Sequence, residues 1–148
     1  MSKNLGDDLD FDEISRVINV NAIGTLRVTN ALSSLVLNST EKTIVNISSE
    51  AGSIADCWRT GWFGYCMSKA ANNMQSALVH NNIQKLGGKV FAIHPGHVAT
   101  YMRGHLDTTA KITPDVSAEG ILHVVLDMPH PINSRPLYLD YTGKELPW

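Results

Sequence analysis

Apolar residues recur at helical spacing from Phe11 to Asn38, where Ile14, Val17, Ile18, Ile23, Leu26, Ala31, Leu32, Leu35 and Val36 fall close to i, i+3, i+4, i+7. This predicts one long amphipathic helix, capped by Asp10 or Asp12, with Asp12 and Glu13 meeting its positive dipole end. The pattern then changes. Thr43-Ile44-Val45-Asn46-Ile47 is β-branched and apolar on both sides, which predicts a strand covered on both faces, as in a parallel sheet. Residues 50–62 have no period and read as a loop at a strand end, a common place for function. Helical spacing returns from Phe63 to Leu86, with Met67, Ala70, Ala71, Met74, Ala77, Leu78 and Ile83 as a core stripe and Gly87-Gly88 as the stop. Lys89 to Ile93 reads as a second strand, broken at His94-Pro95-Gly96 because proline cannot extend a ladder. Thr113-Pro114-Asp115 opens a third helix through about Asp127, stopped by Pro129 and Pro131, and Pro136 to Asp140 reads as a last short strand. The order α-β-α-β-α-β predicts an α/β fold with right-handed crossovers and a parallel three-stranded sheet. No repeat or linker divides it, so residues 1–148 are expected to form one domain.

Composition narrows the classes. The 148 residues carry a net charge of -2, and the first 13 hold five acids against Lys3. No basic face for nucleic acid is expected. No apolar run approaches the roughly 20 residues of a membrane span, and Met1 precedes an acidic segment, so neither a membrane protein nor a classically secreted one is expected. Cys57 and Cys66 lack a C-x-x-C or metal-ligand arrangement and read as buried, reduced thiols in a cytoplasmic protein. His94 and His97 flank Pro95-Gly96 and do not share a helix face, so no metal site is expected.

The candidate chemistry starts with Tyr65 and Lys69, four residues apart near the start of a helix and so on one face. An ammonium beside a phenol favours the phenolate and brings tyrosine toward acid-base work, although such a pair can equally be a surface contact. The strand 43–47 runs into Ser48 and Ser49, which places a hydroxyl at the carboxyl end of a parallel strand, where open α/β sheets hold ligands. Either serine could bond a substrate carbonyl, or merely end the strand. Asn21 lies inside the first helix, where its amide competes for backbone hydrogen bonds, and points to a function or a local kink.

Together, Asn21-Ala22-Ile23-Gly24, Asn46-Ile47-Ser48-Ser49, Tyr65-Cys66-Met67-Ser68-Lys69-Ala70 and His94-Pro95-Gly96-His97-Val98-Ala99-Thr100 resemble four ordered signatures of the short-chain dehydrogenase/reductase family. The ending Tyr138-Leu139-Asp140-Tyr141-Thr142-Gly143-Lys144 through Pro147-Trp148 is similar to its sniffer-like and C-factor-like carbonyl reductase branch. The resemblance implies that Tyr65 donates or accepts the proton and that Lys69 depresses its pKa and binds the nicotinamide ribose. It implies that Ser49, three residues before Gly52, orients the substrate, and that Asn21 holds a water of the proton relay through a helix kink. Pro95, Gly96, Val98 and Thr100 would contact the nicotinamide end of NADP or NAD, and residues 101–112 would form a substrate lid. Sixteen residues separate Ser49 from Tyr65, a few more than usual in the family, and the loop with Trp58 and Trp62 is expected to absorb them beside the substrate pocket. The implied reaction moves a hydride between the cofactor and a small carbonyl or alcohol substrate.

The sequence has no G-x-G-x-x-G turn between a strand and a helix, no Asn-Asn-Ala-Gly, and no acid after a second strand. The fold expected is thus the C-terminal portion of a doubly wound Rossmann-type parallel sheet, short by roughly 90 residues at average element lengths. The 43–47 strand is expected to expose an edge. The chain is expected to self-associate as a homo-oligomer through its two long helices. The alternative is a non-catalytic remnant acting as a dimerising or partner-binding module.

Overall fold

The computed structural model describes residues 4–127 and 135–148. Asp10 caps the first helix, accepting a hydrogen bond from the Glu13 amide at 2.9 Å. That helix is not uniform. α1 (Phe11–Ile18) passes into a π-helical segment, Asn19–Gly24, and resumes as α2 (Thr25–Asn38). The irregularity falls on Asn21, the residue whose amide competes with the helical ladder.

β1 (Thr43–Ile47), β2 (Lys89–His94) and β3 (Leu137–Asp140) form a parallel sheet in the order β1-β2-β3, linked by α3 (Phe63–Ile83) and α4 (Pro114–Asp127). Gly87 closes the turn after α3 in the left-handed region, at φ 82. The expected stops Pro129 and Pro131 lie outside the described residues. Among the described residues no helix is long and apolar enough to cross a membrane.

Register sorts the two faces. Phe91, Ile93 and Leu139 form the apolar core with Val124 of α4, and Val45, Ile121, Val125 and Leu137 pack around it. The alternate positions form the row Asn46–Ala92–Tyr138, which faces α3. Here the sequence pattern misleads. α3 buries Ser68, Asn72, Asn73, Gln75, Ser76, His80 and Ile83, while Met67, Met74 and Leu78 are exposed. The methionine pair expected to fill the core therefore lies outside. The buried polar face draws partners from the sheet it covers: Asn46 Nδ2 donates to Ser76 Oγ at 2.8 Å, and Asn72 Nδ2 donates to the Ile47 carbonyl at 3.3 Å. Likewise neither α1 nor α2 buries any residue, so the stripe of the first long helix is not core in this chain. Cys57 is exposed and Cys66 half-buried, both free, which corrects the expectation of two buried thiols.

Candidate active site

The carboxyl ends of β1 and β2, the start of α3 and the π segment converge on Tyr65. Trp62, left-handed at φ 64, turns the chain into α3 and sets its ring edge-on to Tyr65, with centroids 5.9 Å apart. A bulky residue in that region is uncommon and is found where surrounding structure fixes it, often beside a ligand site. One helical turn on, Lys69 places its Nζ 5.8 Å from the Tyr65 ring centroid and donates to the Ile47 carbonyl at 2.9 Å. The lysine is thus tied to the end of β1.

Ser49 is extended (φ -162, ψ 148) and caps a short turn, Glu50–Gly52, where its hydroxyl accepts from the Ala51 amide at 3.2 Å. The same hydroxyl faces the Tyr65 phenol in one cleft and favours its ionised form. Ser48 points the other way, donating to Asn73 Oδ1 beneath the sheet. The turn can lie against α3 because residue 52 is glycine: a Cβ there would stand 2.8 Å from the Lys69 backbone and 2.9 Å from Asn73 Nδ2. Asn21 reaches the same region through its side chain, with Nδ2 donating to Ser68 Oγ at 3.1 Å and Ser68 donating to the Tyr65 carbonyl at 2.7 Å. Its own carbonyl accepts from the Thr25 hydroxyl at 2.9 Å.

Two clefts meet at Tyr65. One, of about 580 Å³, is lined by Asn21, Ser48 and Lys69 with Val17 and Val20 of α1 and the start of the π segment. The other, of about 830 Å³, is lined by Ser49, Trp58, Arg59, His94, Gly96, Val98 and Thr100. Tyr65, Pro95, Ile47, Trp62 and Met102 border both. All eight residues singled out in the sequence therefore line these two clefts, Asn21 and Lys69 on one side of the phenol and Ser49, Gly96, Val98 and Thr100 on the other. Gly96 sits at φ 86, and a Cβ there would come 2.7 Å from Ile112 Cδ1, so the turn after Pro95 needs glycine.

The electrostatics depart from expectation. Burial pushes the Tyr65 phenol above its usual value, and the Ser49 hydroxyl and the Arg59 charge only partly offset this. Lys69, the expected source of a depressed phenol, is itself lowered by burial, and its proton is engaged by the Ile47 carbonyl. Two residues not anticipated here are Arg59 and Glu50, an ion pair with the guanidinium 4.4 Å over the Trp58 ring. They lie in the aperiodic 50–62 segment, where no spacing marks a pair. His94 is lowered by burial.

The segment after Thr100 is clipped shut. Val98 bridges Ile112, and the Ala99 amide donates to the Ile112 carbonyl at 2.9 Å. Inside it, the Asp107 carboxylate accepts from the Thr109 hydroxyl and amide and from Arg103, and lies 3.0 Å from His97 Nε2. The Thr109, His97 and Arg103 contacts hold that carboxyl far below the usual carboxylate range.

A parallel sheet with helices on both faces and a tyrosine, lysine and serine at its carboxyl edge defines a Rossmann-type dehydrogenase-like protein. Residues 3–111 match the family described as short chain dehydrogenase. The C-signal of Myxococcus xanthus is 35% identical over 95% of this chain and 82% of its own length. The 1-hydroxy-2-glutathionyl-2-methyl-3-butene dehydrogenase of a Rhodococcus strain is 33% identical, over 95% of this chain and 61% of its own. Among solved structures, an NADPH-bound carbonyl reductase from chicken fatty liver superposes with a TM-score of 0.84 at 30% identity, over all of this chain and 62% of that one. The chain belongs to the short-chain dehydrogenase/reductase family, with neighbours in its carbonyl reductase branch. It spans about three fifths of the dehydrogenase and of the carbonyl reductase.

Proposed function

We propose that this chain carries the proton-transfer and nicotinamide-end half of an NAD(P)H-dependent carbonyl reductase. The observation that carries the reading is the Tyr65 phenol at the meeting of two clefts, with the Ser49 hydroxyl beside it in one and Lys69 flanking it in the other. The residues present suit the nicotinamide-ribose end of the cofactor. Lys69 offers a half-buried ammonium, Thr100 an exposed hydroxyl and Val98 a backbone beside it, while Pro95 and Gly96 set the turn between them. Nicotinamide supplies the hydride when bound.

The chain's own groups do the rest. Ser49 holds the substrate oxygen, and Tyr65, which burial keeps protonated, gives it a proton. Lys69 bears on the resulting phenolate from the ring side, where a fixed charge in a partly buried site acts more strongly than in water. The Asn21 carbonyl accepts from the Thr25 hydroxyl, and a carbonyl oxygen has two acceptor positions, which suits it to hold the water of a proton relay as well. Trp58, Trp62 and Met102 wall the larger cleft and favour an apolar carbonyl or alcohol.

The exposed apolar positions of α2 and α3 support a homo-oligomer through these helices. They also sustain a second reading, a non-catalytic module that binds its own kind or a partner. The relative covered over 82% of its length is named a signal, not a dehydrogenase.

The experiment is a titration of nicotinamide mononucleotide, oxidised and reduced, into the chain by NMR, followed by carbonyl reduction. Weak, millimolar binding with shifts at Lys69, Val98 and Thr100 is expected. Lys69→Met weakens it, and Tyr65→Phe keeps binding but abolishes reduction. No shift at any of these residues overturns the enzymatic reading and leaves the module.

A further inference from the structure

Ser49 is useful only if its hydroxyl meets the phenol, and the turn that follows holds it from one side only, with the Gly52 amide donating to its carbonyl at 2.9 Å and the Ala51 amide to its hydroxyl at 3.2 Å. The Ser48 amide closes the ladder with β2 by donating to the Ile93 carbonyl at 2.7 Å, and beyond that point β1 has no further strand partner. The next carbonyl, that of Ser49, is held from across the sheet. Tyr138 of β3, fully buried, donates its hydroxyl to it at 2.5 Å, spanning 89 residues of sequence and a whole intervening strand.

The crossing is built in. Asn46, Ala92 and Tyr138 lie in register on the α3 face, so the position between Tyr138 and β1 is the smallest member of the row, Ala92, which is itself wholly buried. Trp148 packs on the ring with centroids 5.1 Å apart. The Asn73 amide lies by the phenol, yet its Nδ2 makes no hydrogen bond of ordinary geometry, so the phenol's single proton is committed to Ser49. Burial keeps that proton on the oxygen.

We propose that Tyr138 is a positioning residue: it fixes the Ser49 backbone, and through it the hydroxyl that meets Tyr65. The last strand and the C-terminal tail thereby set the geometry of a site to which they contribute no reacting group. The proposal rests on the Tyr65–Ser49 reading above, and the test separates the two.

The readout is the phenolate fraction of Tyr65, from ring-carbon NMR of isotope-labelled tyrosine at one alkaline pH at which the fold persists. Ser49→Ala removes the hydroxyl outright and is expected to lower that fraction by roughly threefold. Tyr138→Phe keeps the ring and its packing and is expected to lower it in the same direction. Ser76→Ala, which deletes the buried bond to Asn46 further along the same face, is expected to lower the melting temperature without moving the fraction. Should Tyr138→Phe not fold, Ala92→Val, which adds a branched side chain at the buried position between Tyr138 and β1, serves in its place. An unchanged fraction in the 138 or 92 variant, with a fall in Ser49→Ala, overturns the positioning role and leaves the Tyr65–Ser49 contact standing. An equal fall in Ser76→Ala overturns it as well. No fall in Ser49→Ala removes the contact, and both readings with it.

Discussion

At the scale of single residues the site is a set of groups whose pKa values burial displaces from their ordinary ones. His94 closes β2 at the larger cleft, and burial lowers its pKa from 6.5. In the window below 6.5 the unfolded chain holds the extra proton, so stability rises with pH through that window and is lost on acidification. His94→Gln should flatten the acid limb of a melting-temperature profile there, and a limb as steep as the parent's would contradict the assignment. Tyr65 and Cys66 act on the other side. Both are raised by burial, so their contribution is complete below their ordinary values of 10.0 and 9.0 and is lost as pH climbs through the raised ones. Gly52 is the steric counterpart. Its missing Cβ is what lets the serine turn lie on the backbone of Lys69, so Gly52→Ala should cost about 1–3 kcal/mol in urea unfolding, and it should also disturb the Tyr65–Ser49 contact.

At the scale of elements, the π segment shows what a sequence can and cannot announce. Asn21 in a helical stripe pointed to a function or a local kink, and the α-helical ladder gives way to a π segment there. Its cause is visible only in three dimensions: Thr25 ties the Asn21 carbonyl while Ser68, 47 residues away, receives its amide. Asn21→Ala should therefore cost on the order of 1 kcal/mol and raise hydrogen exchange in both α1 and the first turn of α3. Exchange confined to α1 would mean that the two elements are not coupled through that bond. The strands, the glycine stop after α3 and the order of elements were legible because β-branched runs and glycine act locally. The burial of α3 was not. Its stripe of Met67, Met74 and Leu78 looks like a core face, yet the sheet presents Asn46, Ser48 and the Ile47 carbonyl to α3, and these select Asn72, Asn73 and Ser76 as partners. Hydrophobic spacing marks which residues share a face, but only the partner surface decides whether that face turns inward. The same reason hid Tyr138, an ordinary strand residue until its hydroxyl is seen to reach Ser49.

At the scale of the whole molecule, apolar surface remains to be covered. Val28, Leu32 and Leu35 line one outward stripe of α2, exposed at 60%, 47% and 67%, and Met67, Met74 and Leu78 line another on α3 at 50%, 62% and 62%. Burying such a side chain contributes about 1.5–3 kcal/mol. Association costs on the order of 4–15 kcal/mol in lost freedom, so several of these residues must be covered together for two chains to hold. Symmetric contact between α2–α3 surfaces covers both stripes at once, since each chain presents the same pair. Sedimentation should then show a mass that rises with concentration. Leu35→Glu with Met74→Glu should return it to that of one chain while leaving nicotinamide mononucleotide binding unchanged, because neither residue lines the clefts at Tyr65. If the paired substitution leaves the assembly intact, the contact lies elsewhere. The open edge of β1 is then the surface to test, since its unpaired backbone groups can add a strand without using either helix.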